Sequence, residues 1–177
     1  MKYLLILSIL ALSCLGRVSL SGTNDCSARF GLTKVKSFKD STAFYMEIEN
    51  TGESTLRMLR MSTADICYGI LNLSIYSNEK NITYQAMPCI AFKGLDRVDL
   101  TSENSVYLEP TDTYRFMIQL SNQDFAPYLP DNELTGDYVA KAELPLQLAN
   151  IAQCEGATFK TGGLHLVDSL LLQSGRR

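Results

Sequence analysis

Cysteine and histidine are the residues whose spacing reveals chemistry most directly, and this chain has five of the first and one of the second. Cys26, Cys67, Cys89 and Cys154 lie beyond an export-type leader. None of their spacings is CxxC, so a zinc knuckle is not expected. An even count in an exported chain reads as two disulfides, and four cysteines allow three pairings. Cys67 and Cys89 flank a predicted hairpin, while Cys26 and Cys154 stand near opposite ends of the mature chain. The expected bonds are therefore Cys67–Cys89 and Cys26–Cys154; the alternative leaves one pair as buried thiols. Oxidised cysteine is no nucleophile, which disfavours thiol catalysis.

The single histidine, His165, limits the rest. A zinc hydrolase needs about three protein ligands, typically His-rich. A serine triad could in principle use His165 and Asp168, but no Gly-x-Ser-x-Gly turn is present and Asp168 lies three residues from His165 on the tail. A surface histidine on a tail is the expectation. Asp96 with Asp99, or Asp131 with Glu133, are spaced to share a turn as an acid–base pair or a weak calcium site. Acids in turns are usually solvated, and no EF-hand loop is present. Gly162-Gly163 lacks the Lys-Ser/Thr and the strand–helix setting of a phosphate loop. We expect no catalytic residue, no metal and no cofactor.

The leader is a signal peptide by its parts: Lys2, then a nine-residue apolar run over 4–12, then polar residues. That run is shorter than the roughly 20 residues a membrane helix needs. Cleavage after Gly16 or after Ser21 fits small residues at −3 and −1, and 1–21 is taken as the signal. The alternatives are an N-terminal core strand, or a lipoprotein box at Ala11-Leu12-Ser13-Cys14 in which Cys14 is acylated; Leu12 is large for that box. No other apolar run approaches membrane length, so a secreted protein with no membrane span is expected. Formal charge is −3, and losing Lys2 and Arg17 with no acid leaves −5. A mildly acidic surface argues against nucleic acid and anionic membrane as partners. Roughly 155 residues remain, enough for one cored domain. Two sequons, Asn72-Leu73-Ser74 and Asn81-Ile82-Thr83, mark N-glycosylation sites if the source is eukaryotic. The dibasic end, Arg176-Arg177, reads as a solvated tail or a processing signal.

The elements that would hold these residues are written in period two. Phe44, Met46 and Ile48 alternate with Tyr45, Glu47 and Glu49 as a half-buried strand. A turn at Asn50-Thr51-Gly52-Glu53 is expected to use the tolerance of Asn and Gly for positive φ. Leu56, Met58 and Met61 continue. Leu71, Leu73 and Ile75 lead to a polar tip at 77–81, and Ile82, Tyr84 and Ala86 lead back. Val106 and Leu108 form a short strand before Pro110. Tyr114, Phe116, Ile118 and Leu120 alternate most clearly, with Phe116 and Ile118 expected inward beside Phe44, Met46 and Ile48. Tyr138, Ala140 and Ala142 read as the last body strand. Residues 164–172 fit a helix, a strand or a loose tail, with strand or tail preferred after Gly162-Gly163. The expected fold is all-β, an antiparallel immunoglobulin-like β-sandwich of about seven strands. Its divisions are a signal peptide at 1–21, the sandwich at 22–160 and a C-terminal tail at 161–177.

The stretch 48–59, Ile-Glu-Asn-Thr-Gly-Glu-Ser-Thr-Leu-Arg-Met-Leu, is similar to a pattern in secreted immunoglobulin-like domains. More particularly, it resembles the non-catalytic N-terminal region of deuterolysin-like (M35, aspzincin) metallopeptidases. Leu108-Glu109-Pro110, the strand over 114–120 and Gly136-Asp137-Tyr138-Val139 keep the order of that region, and the likeness covers about residues 28–148. Those peptidases carry a following His-Glu-x-x-His zinc domain, which this sequence does not contain. The resemblance implies a fold and a kind of partner, not an activity.

The reading is a secreted, non-catalytic recognition module for an extracellular protein or other ligand. The alternatives are a peptidase inhibitor or propeptide-like partner of a metallopeptidase, and an enzyme using acidic residues. Loops carry the variable contacts of a sandwich. The candidate binding residues are Phe92 and Arg97 in the loop 92–97, and Phe125, Tyr128 and Leu129 in the loop 124–132. Phe125 and Leu129 have a second reading, as a plug for the end of the sandwich.

Overall fold

The computed structural model of the chain describes residues 25–89, 99–129, 137–144, 151–154, 158–159 and 166–173. Asp25–Cys26 (β1) precedes Ala28–Ser37 (β2), which returns antiparallel as Ser41–Asn50 (β3). In β3 the apolar alternation works as read: Phe44, Met46 and Ile48 are fully buried, and Tyr45, Glu47 and Glu49 are half-buried on the other face. β2 escaped the alternation reading because its phase changes. Ala28, Phe30 and Leu32 face inward, a bulge falls between Leu32 and Lys34, and Val35 then takes the inward parity. Thr33, the extra residue, donates its hydroxyl to the Tyr45 carbonyl at 3.1 Å.

The turn after β3 is closed by a side chain. Asn50 is buried; its Oδ1 accepts from the Gly52 N–H at 3.0 Å, and its Nδ2 donates to the carbonyls of Ser54 at 2.8 Å and Leu108 at 2.9 Å. Neither Asn50 nor Gly52 takes positive φ; among the described residues that region holds Gly69, Asn81 and Thr111. The expected device is thus replaced by an Asx turn, in which a side chain mimics a backbone turn. Leu56–Leu59 (β4) follows, and Met61 is buried beyond the strand's end. A single helical turn, Ala64–Cys67 (α1), carries Cys67 to the sheet.

Asn72–Ser77 (β5) and Ile82–Ala86 (β6) form the expected hairpin, with Asn81 at φ 52 in its tip. Ser105–Leu108 (β7) pairs with β4, and Thr113–Ser121 (β8) pairs with β3 along its length. A 3-10 turn at Asn122–Asp124 leads into Phe125–Ala126 (β9). Asp137–Leu144 (β10), Ala152–Cys154 (β11), Thr158–Phe159 (β12) and Leu166–Gln173 (β13) complete the order.

The strands form an all-β, largely antiparallel sandwich. One layer holds β2-β3-β8; facing it is the five-stranded sheet β13-β10-β5-β6-β9. A third sheet runs β11-β4-β7, and β1 pairs in parallel with β12. The rings of Phe44 and Phe125 stack across the layers at 6.4 Å, and one continuous core runs through Ile48, Leu73, Ile75, Ile118, Ala140 and Ala142. Thirteen strands are present among the described residues, against about seven read from alternation. The added ones are two to three residues long, are broken in phase, or follow β10.

Two expectations change and one narrows. β10 is not the last body strand, since β11, β12 and β13 come after it. Of the helix, strand and loose-tail readings of the C-terminal segment, the strand is the one present: β13 pairs with β10 from Leu144↔Leu166 to Asp137↔Gln173. Phe116 is only half-buried, stacked on Tyr114 at 5.2 Å, because β8 is the outer strand of its sheet.

Candidate functional site

The two disulfides join the cysteines that order along the chain had paired. Cys26–Cys154 has its Cα atoms 6.3 Å apart and ties β1 to β11; Cys67–Cys89 has them 5.6 Å apart and ties α1 to the segment after β6. The hairpin explains the second bond. β5 leaves from beside α1, and β6 returns antiparallel to it, so the residues just outside the two strands meet.

The turn that presents Cys67 is built around Asp65. Its carboxylate accepts from the Ser62 N–H at 2.6 Å and from the Ser62 hydroxyl at 3.0 Å, and its carbonyl accepts from the N–H groups of Ile70 and Leu71. Burial pushes the Asp65 carboxyl above its ordinary range, and the two Ser62 hydrogen bonds oppose that shift. Nearby, burial raises the Tyr114 hydroxyl, against a hydrogen bond from Met61 and the charge of Arg60. Asp65 is thus occupied in holding a turn, and it is not among the residues lining the cavity described next.

Beside the Cys67–Cys89 bond is a cavity of about 400 Å³. Ile66 and Cys67 line it from α1, Asn72 from β5, Gln85 and Ala86 from β6, and Met87, Pro88 and Cys89 from the segment that follows. Pro88, which cannot donate to a ladder, follows β6 and turns the chain toward Cys67. The lining is mostly apolar, with the amides of Asn72 and Gln85 as its polar groups. Gln85 spends its amide on the Leu73 carbonyl at 3.2 Å. Met87 is 57% exposed, although its backbone N–H is held by the Asp124 carbonyl at 2.6 Å. A soft, adaptable thioether on a fixed backbone, over a small apolar space, is suited to receiving an apolar group.

The residues singled out from sequence do not gather here. Phe92, Arg97, His165, Asp96, Asp131 and Glu133 lie outside the described residues, as do residues 1–24 with Cys14. Asp99 is exposed, with its carbonyl accepting from Asn104. Phe125 and Leu129 are 1% and 2% exposed, so they are core residues and offer no contact surface. Leu129 is drawn in by its N–H, which donates to the Asn122 carbonyl at 3.1 Å. The plug reading is the one that applies to both. Tyr128, between them, is 73% exposed. Sequence reasoning missed the cavity, although its two cysteines and the Met87-Pro88 step were visible. No group of three His, Cys, Asp or Glu residues suited to a metal occurs among the described residues, nor does a helix long and apolar enough to cross a membrane.

No family model matches the chain, and no curated protein matches it. Among solved structures, a β-glucosidase from Kluyveromyces marxianus is similar at 12% identity and TM-score 0.39, over 84% of this chain and 14% of that one. The putative ApaA protein from Bordetella pertussis is similar at 12% identity and TM-score 0.43, over 88% of this chain and 99% of that one. β-Glucosidase 3B from Thermotoga neapolitana reaches 10% identity and TM-score 0.37, over 84% and 16%. This chain therefore spans about a seventh of the first of these enzymes. Likeness at this level carries nothing about activity. The fold defines a class: a disulfide-bonded, all-β, largely antiparallel sandwich.

Proposed function

We propose that this chain is a secreted, non-catalytic recognition module that binds an extracellular protein by taking one projecting apolar side chain into the cavity beside Cys67–Cys89. The observation that carries this reading is the cavity's combination of apolar lining and exposed Met87. Buried, water-excluding pockets that accept an anchor side chain are where binding energy concentrates in protein interfaces. Two disulfides support an oxidising, extracellular setting. The sequons divide on the same geometry. Asn81 is exposed on the hairpin tip, with its Oδ1 accepting from the Tyr76 hydroxyl at 2.6 Å, while Asn72 is in the cavity wall. A glycan on Asn72 and an occupant of the cavity compete for one space, so Asn81 is the glycosylated position in this reading.

Photo-crosslinking from position 87 in native extracellular fluid tests it. A defined partner should be captured, capture should be lost in Met87→Glu, and it should persist in Tyr107→Ser, a change at an exposed residue on β7. Capture indifferent to Met87→Glu overturns the reading.

A further inference from the structure

Sheet edges offer unpaired backbone donors and acceptors, and natural proteins keep them short, charged, bulged or covered. Most edges here obey that rule. β9 has two residues, β11 three and β7 four. β2 has a bulge at Thr33 and carries exposed Lys34 and Lys36, and β13, itself an outer strand, runs alongside it. β8 breaks the rule. It is nine residues long, outermost in its sheet, and free of bulge and proline. Among the described elements, β3 alone pairs with it. Its one charge, Arg115, is already engaged by Glu47 of β3 at 3.3 Å.

The sequence of this edge is nearly its own mirror image in polarity about Met117. Reading outward from it, Phe116 matches Ile118, Arg115 matches Gln119, Tyr114 matches Leu120, and Thr113 matches Ser121. We infer that β8 is a homodimer edge, pairing antiparallel with β8 of a second copy on a two-fold axis through Met117. Each match above then becomes a cross-strand pair. Phe116 and Tyr114, half-buried in one chain, would be covered by the partner's Ile118 and Leu120. No like charges oppose, since each Arg115 faces a neutral Gln119. Inversion about residue 117 sends odd positions to odd and even to even. Whichever alternate residues aim N–H and C=O outward therefore meet their own kind, giving on the order of eight to ten inter-chain backbone hydrogen bonds. A hetero-partner has no need of this symmetry, which is why a second copy is the occupant argued for.

Sedimentation velocity of the mature chain from micromolar to millimolar concentration tests it, with three substitutions at exposed side chains. The wild type should show a monomer–dimer equilibrium. Met117→Lys places two ammonium groups together on the axis and should leave monomer. Gln119→Glu sets a carboxylate opposite Arg115 twice per dimer and should tighten it about 2- to 30-fold, whereas Gln119→Lys should weaken it by a similar factor. If Met117→Lys lowers the melting temperature of the monomer, the opposed pair at Gln119 still decides the matter. A wild type that stays monomeric throughout, or a dimer indifferent to both Gln119 changes, overturns the inference.

Discussion

Removing Cys67–Cys89 should cost less stability than removing Cys26–Cys154, and the sizes can be worked from the chain. The bonds close segments with sequence separations of 22 and 128 residues. On the chain-entropy account, loop closure grows with the logarithm of the enclosed length. That gives about 3.4 kcal/mol for the shorter loop and about 4.9 kcal/mol for the longer at 25 °C. Cys26 is buried in the core, whereas Cys67 and Cys89 are half-buried, so alanine at 26 adds a packing loss in the same direction. For a domain of this size each kcal/mol moves the melting temperature by about 2–4 °C. Cys67→Ala/Cys89→Ala should therefore melt about 7–14 °C below the parent, and Cys26→Ala/Cys154→Ala further still. Urea unfolding followed by tyrosine fluorescence reads both, with the slope m monitored because a cross-link lost from the unfolded chain raises the surface exposed. The shorter bond carries a second consequence: it walls the cavity, so its removal should weaken partner capture from position 87 beyond what the stability change accounts for. Equal losses, a reversed order, or a loss under about 1 kcal/mol at Cys67–Cys89 would refute the loop-length reasoning.

Other outcomes follow from single side chains. Phe125→Ala should cost about 3–5 kcal/mol as a buried large-to-small change, Phe116→Ala only about 1–2 kcal/mol, and Tyr128→Ala within about 0.5 kcal/mol, all read by urea midpoints. Asn50→Ala removes the side-chain donor to the Ser54 and Leu108 carbonyls, while the Gly52 N–H keeps the Ser27 carbonyl at 3.2 Å, and should cost about 1–3 kcal/mol; a neutral result means the Asx turn does not hold β3 to the β7–β8 connection. The Asp65 carboxyl titrates above its ordinary 3.8 when folded, so the folded state holds the extra proton. Stability should accordingly fall as pH rises from about that ordinary value through the raised one, then stay level. Asp65→Asn should remove that slope, and an unchanged difference between wild type and variant across the carboxylate range would contradict it.

Much of the fold could be read without coordinates because its strands advertise themselves. Phe44, Met46 and Ile48 must share a face when the side-chain period is two, and the polar tip at 78–81 fixes where the hairpin turns. That hairpin in turn dictated Cys67–Cys89. Where the local pattern breaks, the reading stopped. In β2 one extra residue shifts the phase, so Val35 no longer alternates with Leu32 in the sequence, although both are placed by pairing with β3. β11 is three residues long and exists because β4 offers an edge to it, which no local window contains. The segment of β13 read as strand or loose tail in preference to helix, and its pairing with β10 selects the strand.

The amino-acid sequence alone determined an all-β alternation and two disulfides. These depend on residue type and on spacing along one strand or one hairpin. Tertiary structure decided which apolar residues are surface. Phe125 and Leu129 look like the exposed Tyr128 beside them in composition, yet Phe125 stacks on Phe44 from the opposite layer while Tyr128 faces solvent. It also decided that α1, β5, β6 and the segment after it enclose a cavity, and that β8 stands at an edge. A cavity and an edge are relations between segments distant in the chain, set by how layers pack and which strand has a paired neighbour on one side only among the described residues, and no local pattern encodes them.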